Sequence, residues 1–324
     1  MTKDYIKNIL AISFIKGIGP SKLKDILNII KNDVLSEKDI YELLEKYSKN
    51  KKTIILSKDY FNAAIDQAQR QLELAEKYNI GIICREDPLY PTLLKKSAYD
   101  PAIIFYKGNL NALPSRYAAV IGTRNPTEHG AIIAQRIATY LAENKFSIVS
   151  GLAIGCDSIA HKAALDVNGH TIAVLAHGLD SVFPNQNKEL AEQIIDNGGL
   201  LISTYGIGEK PSAYTFAARD KIQSGLSEFV VMIQSGVNGG SLIASQAALA
   251  DGRKLIIPRP TQRDLDNKEA NIEANSILIE APIKKTFANL KGFNFKDNQI
   301  DNYLKNIVTL NNKFEYKQAF NITD

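Results

Sequence analysis

Val120-Ile121-Gly122-Thr123-Arg124-Asn125-Pro126-Thr127-Glu128-His129-Gly130 is the stretch on which the fold of this chain turns. An apolar run ends in glycine, a hydroxyl and an arginine follow, and a helical pattern opens near Gly130. Ile133, Ile137, Tyr140 and Leu141 then share one stripe. Strand, tight turn and helix succeed one another, and the unit recurs. Apolar runs at 80–84, 118–121, 147–149, 171–175, 200–202, 229–233 and 254–257 alternate with helical segments. Such alternation predicts a mostly parallel, doubly wound α/β sheet. Nearly every run ends in a Gly, Ser or Asn cluster, where sheets of this kind hold ligands.

In the first turn, Gly122 lets backbone approach an anion, Thr123 offers a hydroxyl and Arg124 a planar fork for two phosphate oxygens. A helix start behind them adds unpaired N–H groups. The alternative is an ordinary turn with a solvated arginine. After the run at 147–149 comes Ser150-Gly151-Leu152-Ala153-Ile154-Gly155-Cys156-Asp157-Ser158-Ile159-Ala160-His161. Ser150, Gly151, Ala153 and Gly155 are candidates for close backbone approach, to a ligand or to a neighbouring strand. Asp157 reads as the helix N-cap and His161 as a structural histidine, since no nucleophile stands beside it. Further on, Arg219 and Lys221 flank Asp220 at what reads as a helix start, either gripping phosphate or closing a salt bridge. Gly239-Gly240-Ser241 heads a helix over 242–250 and forms a nest of donors suited to phosphate.

Ahead of the alternating region the pattern is helical. Leu23, Ile26, Leu27 and Ile30 fall on one stripe, preceded by Lys16-Gly17-Ile18-Gly19-Pro20-Ser21, with an apolar partner helix over 9–15. Two helices joined by Gly-Ile-Gly form a helix-hairpin-helix pattern. The first 60 residues hold 12 Lys against 8 acidic residues, as large an excess as the whole chain's net charge of +4. A basic module attached to a neutral body points to a nucleic-acid contact through Lys16, Gly17, Gly19, Lys22 and Lys24. The expected division is a helical domain over 1–75, the sheet domain over 76–265 and a C-terminal extension over 266–324. That extension is rich in Asn and Lys, and a few short helices or strands are expected there.

A hydrophobic fraction of 45% is enough to bury a core and excludes wholesale disorder. Cys84 and Cys156 stand far apart, so a disulfide-stapled secreted scaffold is not expected. Four scattered histidines make no closed zinc site, and no metal or cofactor is expected. No apolar run approaches the roughly 18 residues of a membrane span. A cytoplasmic protein with no membrane contact is the expectation.

In their order, these segments resemble the DNA-processing protein A family (DprA, also called Smf). The resemblance runs through Gly17-Ile18-Gly19, Asp87-Pro88-Leu89-Tyr90-Pro91-Thr92-Leu93-Leu94, Gly108, Gly122-Thr123-Arg124 and Ser150 to His161. It continues through Gly178-Leu179-Asp180 with Phe183-Pro184, Arg219-Asp220-Lys221 with Gly225-Leu226-Ser227, Gly239-Gly240-Ser241, Ala247, Arg253 and Pro258. The resemblance implies a Rossmann-like domain that binds single-stranded DNA, dimerises and loads a RecA-type recombinase during DNA uptake. This chain departs from the family pattern at Ser203-Thr204-Tyr205, where the family often has Ser-Glu-Tyr. It departs again at Arg219-Asp220-Lys221, where the family has Arg-Asn-Arg, and at Phe183-Pro184, where it has Tyr-Pro. These changes resemble a divergent branch.

Two readings from different classes follow. One is a non-enzymatic binder of single-stranded DNA, with Gly122, Thr123, Arg124, Ser150, Gly151, Ala153, Gly155, Arg219, Lys221, Gly239, Gly240 and Ser241 lining its site and Asp157, His161 and Asp220 supporting it. The other is a non-catalytic nucleotide sensor of the same superfamily, in antiviral defence or toxin control. A phosphoribohydrolase is disfavoured because no carboxylate follows Gly239-Gly240-Ser241 within a few residues. A dehydrogenase is disfavoured because the turn after 118–121 lacks GxGxxG.

Overall fold

The structure, a computed structural model, describes residues 1–31, 33–49, 53–110, 116–280, 287, 289–293 and 299–323. Four helices come first: α1 (Lys3–Phe14), α2 (Pro20–Ile30), α3 (Glu37–Ser48) and α4 (Lys58–Lys77). Their starts follow from local chemistry. Gly19 precedes Pro20, which sits in the first turn of α2, and Ser36 with Asp39 closes a capping box on α3. The predicted hairpin is therefore α1, the turn at Gly17, and α2.

Nine strands follow among the described residues: β1 (Gly81–Cys84), β2 (Ile103–Gly108), β3 (Arg116–Ile121), β4 (Phe146–Ser150), β5 (Thr171–Leu175), β6 (Leu200–Ser203), β7 (Phe229–Met232), β8 (Lys254–Pro258) and β9 (Ile307–Leu310). The helix α5 (Thr92–Lys95) lies between β1 and β2. After β3, β4, β5, β6 and β7 come α6 (Glu128–Glu143), α7 (Cys156–Asp166), α8 (Lys188–Asp196), α9 (Ala213–Leu226) and α10 (Ser241–Ala250). Beyond β8 run α11 (Gln262–Asp266), α12 (Glu273–Glu280) and α13 (Ile300–Asn306), and α14 (Tyr316–Ala319) follows β9.

All seven runs predicted as strands are strands in one sheet, ordered β1-β2-β6-β5-β4-β3-β7-β8-β9. From β6 to β9 every pairing is parallel, whereas β1–β2 and β2–β6 are antiparallel. The mostly parallel, Rossmann-like α/β sheet with a helical N-terminal region is thus present. Two strands fall outside the sequence reading. For β2 the reason is its closeness to β3: the two bounds, 108 and 116, leave too short a stretch of sequence for the helical segment that marks the other runs. The four residues of β9 sit in an Asn- and Lys-rich segment and pair only with β8 at the sheet edge.

Because the central parallel strands are buried on both faces, their side chains alternate between two helical layers. Ala118, Val120, Ile148, Phe229 and Val231 pack with α6, α7 and Phe320 on one face. Ala119, Ile121, Val149, Val230 and Met232 pack with α9, α10 and α12 on the other. The N-terminal helices share one apolar cluster with Phe105 of β2, Leu175 of β5 and Ile194 of α8. Among the described residues, no helix is long and apolar enough to cross a membrane.

The chain runs from β3 through β4 and β5 to β6 on one side, then returns to place β7 on the other side of β3. Loops leaving β3 and β7 therefore diverge to opposite faces, and the crevice between them is where such sheets open to ligands.

Candidate functional site

A groove of about 580 Å³ occupies that crevice. The loop after β3 supplies Gly122, Thr123 and Arg124, the loop after β4 supplies Ala153, and the loop after β7 supplies Ser235 through Ser241. The two loops of the switch point are stitched together. Thr123 N donates to Gln234 O at 2.8 Å, and Gln234 Nε2 donates at 2.9 Å to the hydroxyl of Thr127, the residue that caps α6. Arg124 is exposed, with its guanidinium carbon 5.6 Å from the ring centre of Phe216. At the head of α10, the amide of Gly239 donates back to Gly236 O at 2.9 Å. Leu242 N and Ile243 N in the first turn of α10 donate to Gly239 O and Gly240 O, while Gly240 and Ser241, just ahead of them, line the groove.

In the loop after β4, read as a close backbone approach to a ligand or to a neighbouring strand, the protein's own atoms make the approach. Ser150 is fully buried, and its hydroxyl donates to Val120 O at 2.7 Å. Asp157 does not cap its own helix. Gly155 occupies the cap position, and the Asp157 carboxylate instead accepts from Gly151 N at 3.1 Å and Ala153 N at 3.3 Å. The reason is backbone direction: Gly155, at φ +82°, turns the chain so that Asp157 faces back into its own preceding loop. A Cβ on Gly155 would stand 2.3 Å from Arg124 O, and one on Gly151 would stand 2.2 Å from Arg219 Nη1. Both glycines thus admit the protein's own atoms.

Arg219 is 5% exposed. Its Nη1 donates to Gly151 O and, at 2.6 Å, to Val174 O, and its Nε donates to Asp220 Oδ1 at 2.9 Å. Most of this guanidinium is therefore engaged inside the protein, although it still lines the groove. Lys221 lies elsewhere, its Nζ 4.9 Å from the ring centre of Tyr99. The Arg-Asp-Lys triplet sits in the middle of α9 and not at its start, and side chains two apart on a helix do not share a face. Burial raises the Asp157 carboxyl, with Arg219 opposing, and raises Asp220 to about 6, with Arg219 opposing and Asp157 adding to the rise. His161 is buried, its Nδ1 2.6 Å from the Thr171 hydroxyl, and burial lowers it to about 3, which keeps it neutral and structural.

The helix-hairpin-helix residues are not part of this groove. Lys16, Gly17 and Gly19 are exposed at the turn. Lys22 Nζ donates to Gly17 O at 2.7 Å, and Lys24 is paired with the buried Asp100, which Arg85 also pairs. Two of the three lysines are thereby occupied within the molecule.

Several groove residues escaped sequence reading. Glu273 lines it beside Asp157 and Asp220, so three carboxylates reach the groove through space although none follows Gly239-Gly240-Ser241 within a few residues along the chain. Phe216 and Phe183, with ring centres 6.0 Å apart, line an adjoining cavity of about 640 Å³ that shares Arg124, Ala153 and Arg219 with the groove. Phe183 is 48% exposed. Asn271 and Lys291, from the C-terminal extension, complete the lining. An aromatic beside the Arg219 triplet was a readable signal; distant residues of the extension carried none.

Residues 81–285 match the family described as DNA recombination-mediator protein A. The Smf protein of a Synechocystis species is 35% identical over 253 residues, covering 74% of this chain and 61% of that protein. The chain spans about half to two thirds of the length of such relatives. Among solved structures, DNA processing protein A of Streptococcus pneumoniae superposes with a TM-score of 0.64 at 27% identity, covering 86% of this chain and 98% of that one. DNA processing protein A of Helicobacter pylori, studied for its single-stranded DNA binding mode, gives 0.54 at 26% identity, covering 70% and 97%. The family match spans more than half of the residues and the fold superposes on solved members, and the chain belongs to the DNA recombination-mediator protein A family, also called DprA or Smf.

Proposed function

We propose that the groove holds the backbone of single-stranded DNA without doing chemistry on it. One observation carries this reading: an exposed cation, a helix N-terminus and the Phe216 ring meet at one open groove, with Phe183 beside Phe216 in the cavity that adjoins it. Arg124 and the backbone at Gly240 and Ser241, at the head of α10, suit phosphate oxygens, and the faces of Phe216 and Phe183 suit stacked bases. The contact set is Gly122, Thr123, Arg124, Ala153, Gly239, Gly240 and Ser241. Arg219 shapes the loop after β4, and Asp157, Asp220 and His161 support it from within. Lys16, Gly17 and Gly19 remain the residues for a second, sequence-independent contact. Residues 1–75, 76–265 and 266–324 serve in this reading as hairpin module, DNA-binding body and extension. A role in loading a RecA-type recombinase onto captured strands, as a cytoplasmic homodimer, belongs to the same proposal.

The test is titration of a labelled oligonucleotide at several salt concentrations. Neutralising about three phosphates gives a log–log slope of roughly −2 to −3. Arg124→Ala should weaken all single-stranded sequences alike and make the slope shallower by about one. A slope near zero for the unaltered protein would rule the proposal out. Stabilisation by a free nucleotide in a thermal-shift panel, with no DNA binding, would favour the sensor instead.

A further inference from the structure

The stretch beyond β8 reaches back over the sheet's C-terminal edge and takes hold of both switch-point loops. Asn271 Nδ2 donates to Asn125 O at 2.7 Å in the loop after β3. Asn275, fully buried, accepts from Ser235 N at 2.9 Å and donates to Ile233 O at 2.8 Å, while Ala274 N donates to Ser235 O at 3.0 Å. A second crossing occurs near residue 291. Phe287, Leu290 and Phe293 are buried in the same apolar cluster as Leu242 of α10, and Lys291 N donates to Val237 O at 2.9 Å. Lys291 itself is exposed and lines the groove. Its backbone is therefore held by buried neighbours on both sides, so a ligand need not order the segment when it binds. The family match ends at residue 285, short of this lysine.

We propose that the C-terminal extension forms one wall of the DNA groove and that Lys291 is a further phosphate-binding residue in it. This rests on the reading of the groove as a site for single-stranded DNA. Lys291 supplies positive charge to a wall that also carries the Glu273 carboxylate. The groove thus draws a cation from a segment that lies, in sequence, beyond the matched body of the protein.

The experiment is a salt-dependent anisotropy titration of a thymidine oligonucleotide with the full chain, with Lys291→Ala and Lys291→Glu, and with Arg124→Ala alongside. Lys291→Ala should weaken binding about three- to tenfold and make the salt slope shallower by about one, and Lys291→Glu should weaken it further. Because Lys291 is exposed, neither variant should lower the melting temperature, and a thermal scan verifies this. If Arg124→Ala weakens binding and both Lys291 variants bind as the unaltered chain does, the inference is overturned and the proposed function stands. If no variant changes binding, the groove reading fails and takes the inference with it.

Discussion

Asp220 shows how much a single side chain in this groove depends on its surroundings. Burial lifts its carboxyl from the ordinary value near 3.8 to about 6, with Arg219 pulling the other way. A carboxyl whose folded value is raised favours the native state most fully below the unfolded value, and that contribution is lost as pH rises through the folded one. Stability attributable to Asp220 should therefore decline between about pH 4 and about pH 6, by on the order of 3 kcal/mol. Asp220→Asn should flatten this part of a urea-midpoint profile. Asp157, raised for the same reason, leaves a residual slope. An unchanged profile in the variant would show that folding does not raise the Asp220 carboxyl. In the proposed function, DNA affinity also rises as pH falls below about 6, because a negative charge leaves the groove.

At the scale of the element, α9 decides which of its polar residues can serve the site. Its first turn is closed by a capping box in which the Ser212 hydroxyl accepts from Thr215 N at 3.2 Å and Thr215 Oγ1 accepts from Ser212 N at 2.8 Å. That turn carries Phe216, and the next carries Arg219 and Asp220. Ser212→Ala removes one half of the box and should cost about 1 kcal/mol, read as a lower urea midpoint. In the proposed function it also weakens DNA binding, since Phe216 sits within the loosened turn. Helical geometry also explains the divergence of Arg219 and Lys221. From the string Arg-Asp-Lys both cations are equivalent, but on the folded helix one is buried against Gly151 and Val174 and the other rests on Tyr99.

For the whole molecule, the extension is part of the fold and not a tail hung upon it. Phe320 is fully buried, stacked on Phe229 of β7 at 5.5 Å and packed against Tyr140 of α6. Phe320→Ala should cost about 3–5 kcal/mol. Chemical denaturation should show the loss in one cooperative transition. A separate early transition confined to the C-terminal residues would contradict the shared core.

By itself, the sequence determined the seven strand runs, the loops that end them and the hairpin at Gly17, because apolar periodicity and glycine placement are local properties that survive in a linear reading. It also placed Gly122-Thr123-Arg124 and Gly239-Gly240-Ser241 at strand ends, where an α/β sheet holds ligands. Only the tertiary structure decided which charges reach the groove. Lys24 is held by Asp100, Arg219 by two carbonyl oxygens, and Lys291 comes from a segment about 50 residues beyond the α10 nest it joins. Pairing between charges distant in sequence depends on which strand lies beside which. That order was set when β7 crossed to the far side of β3.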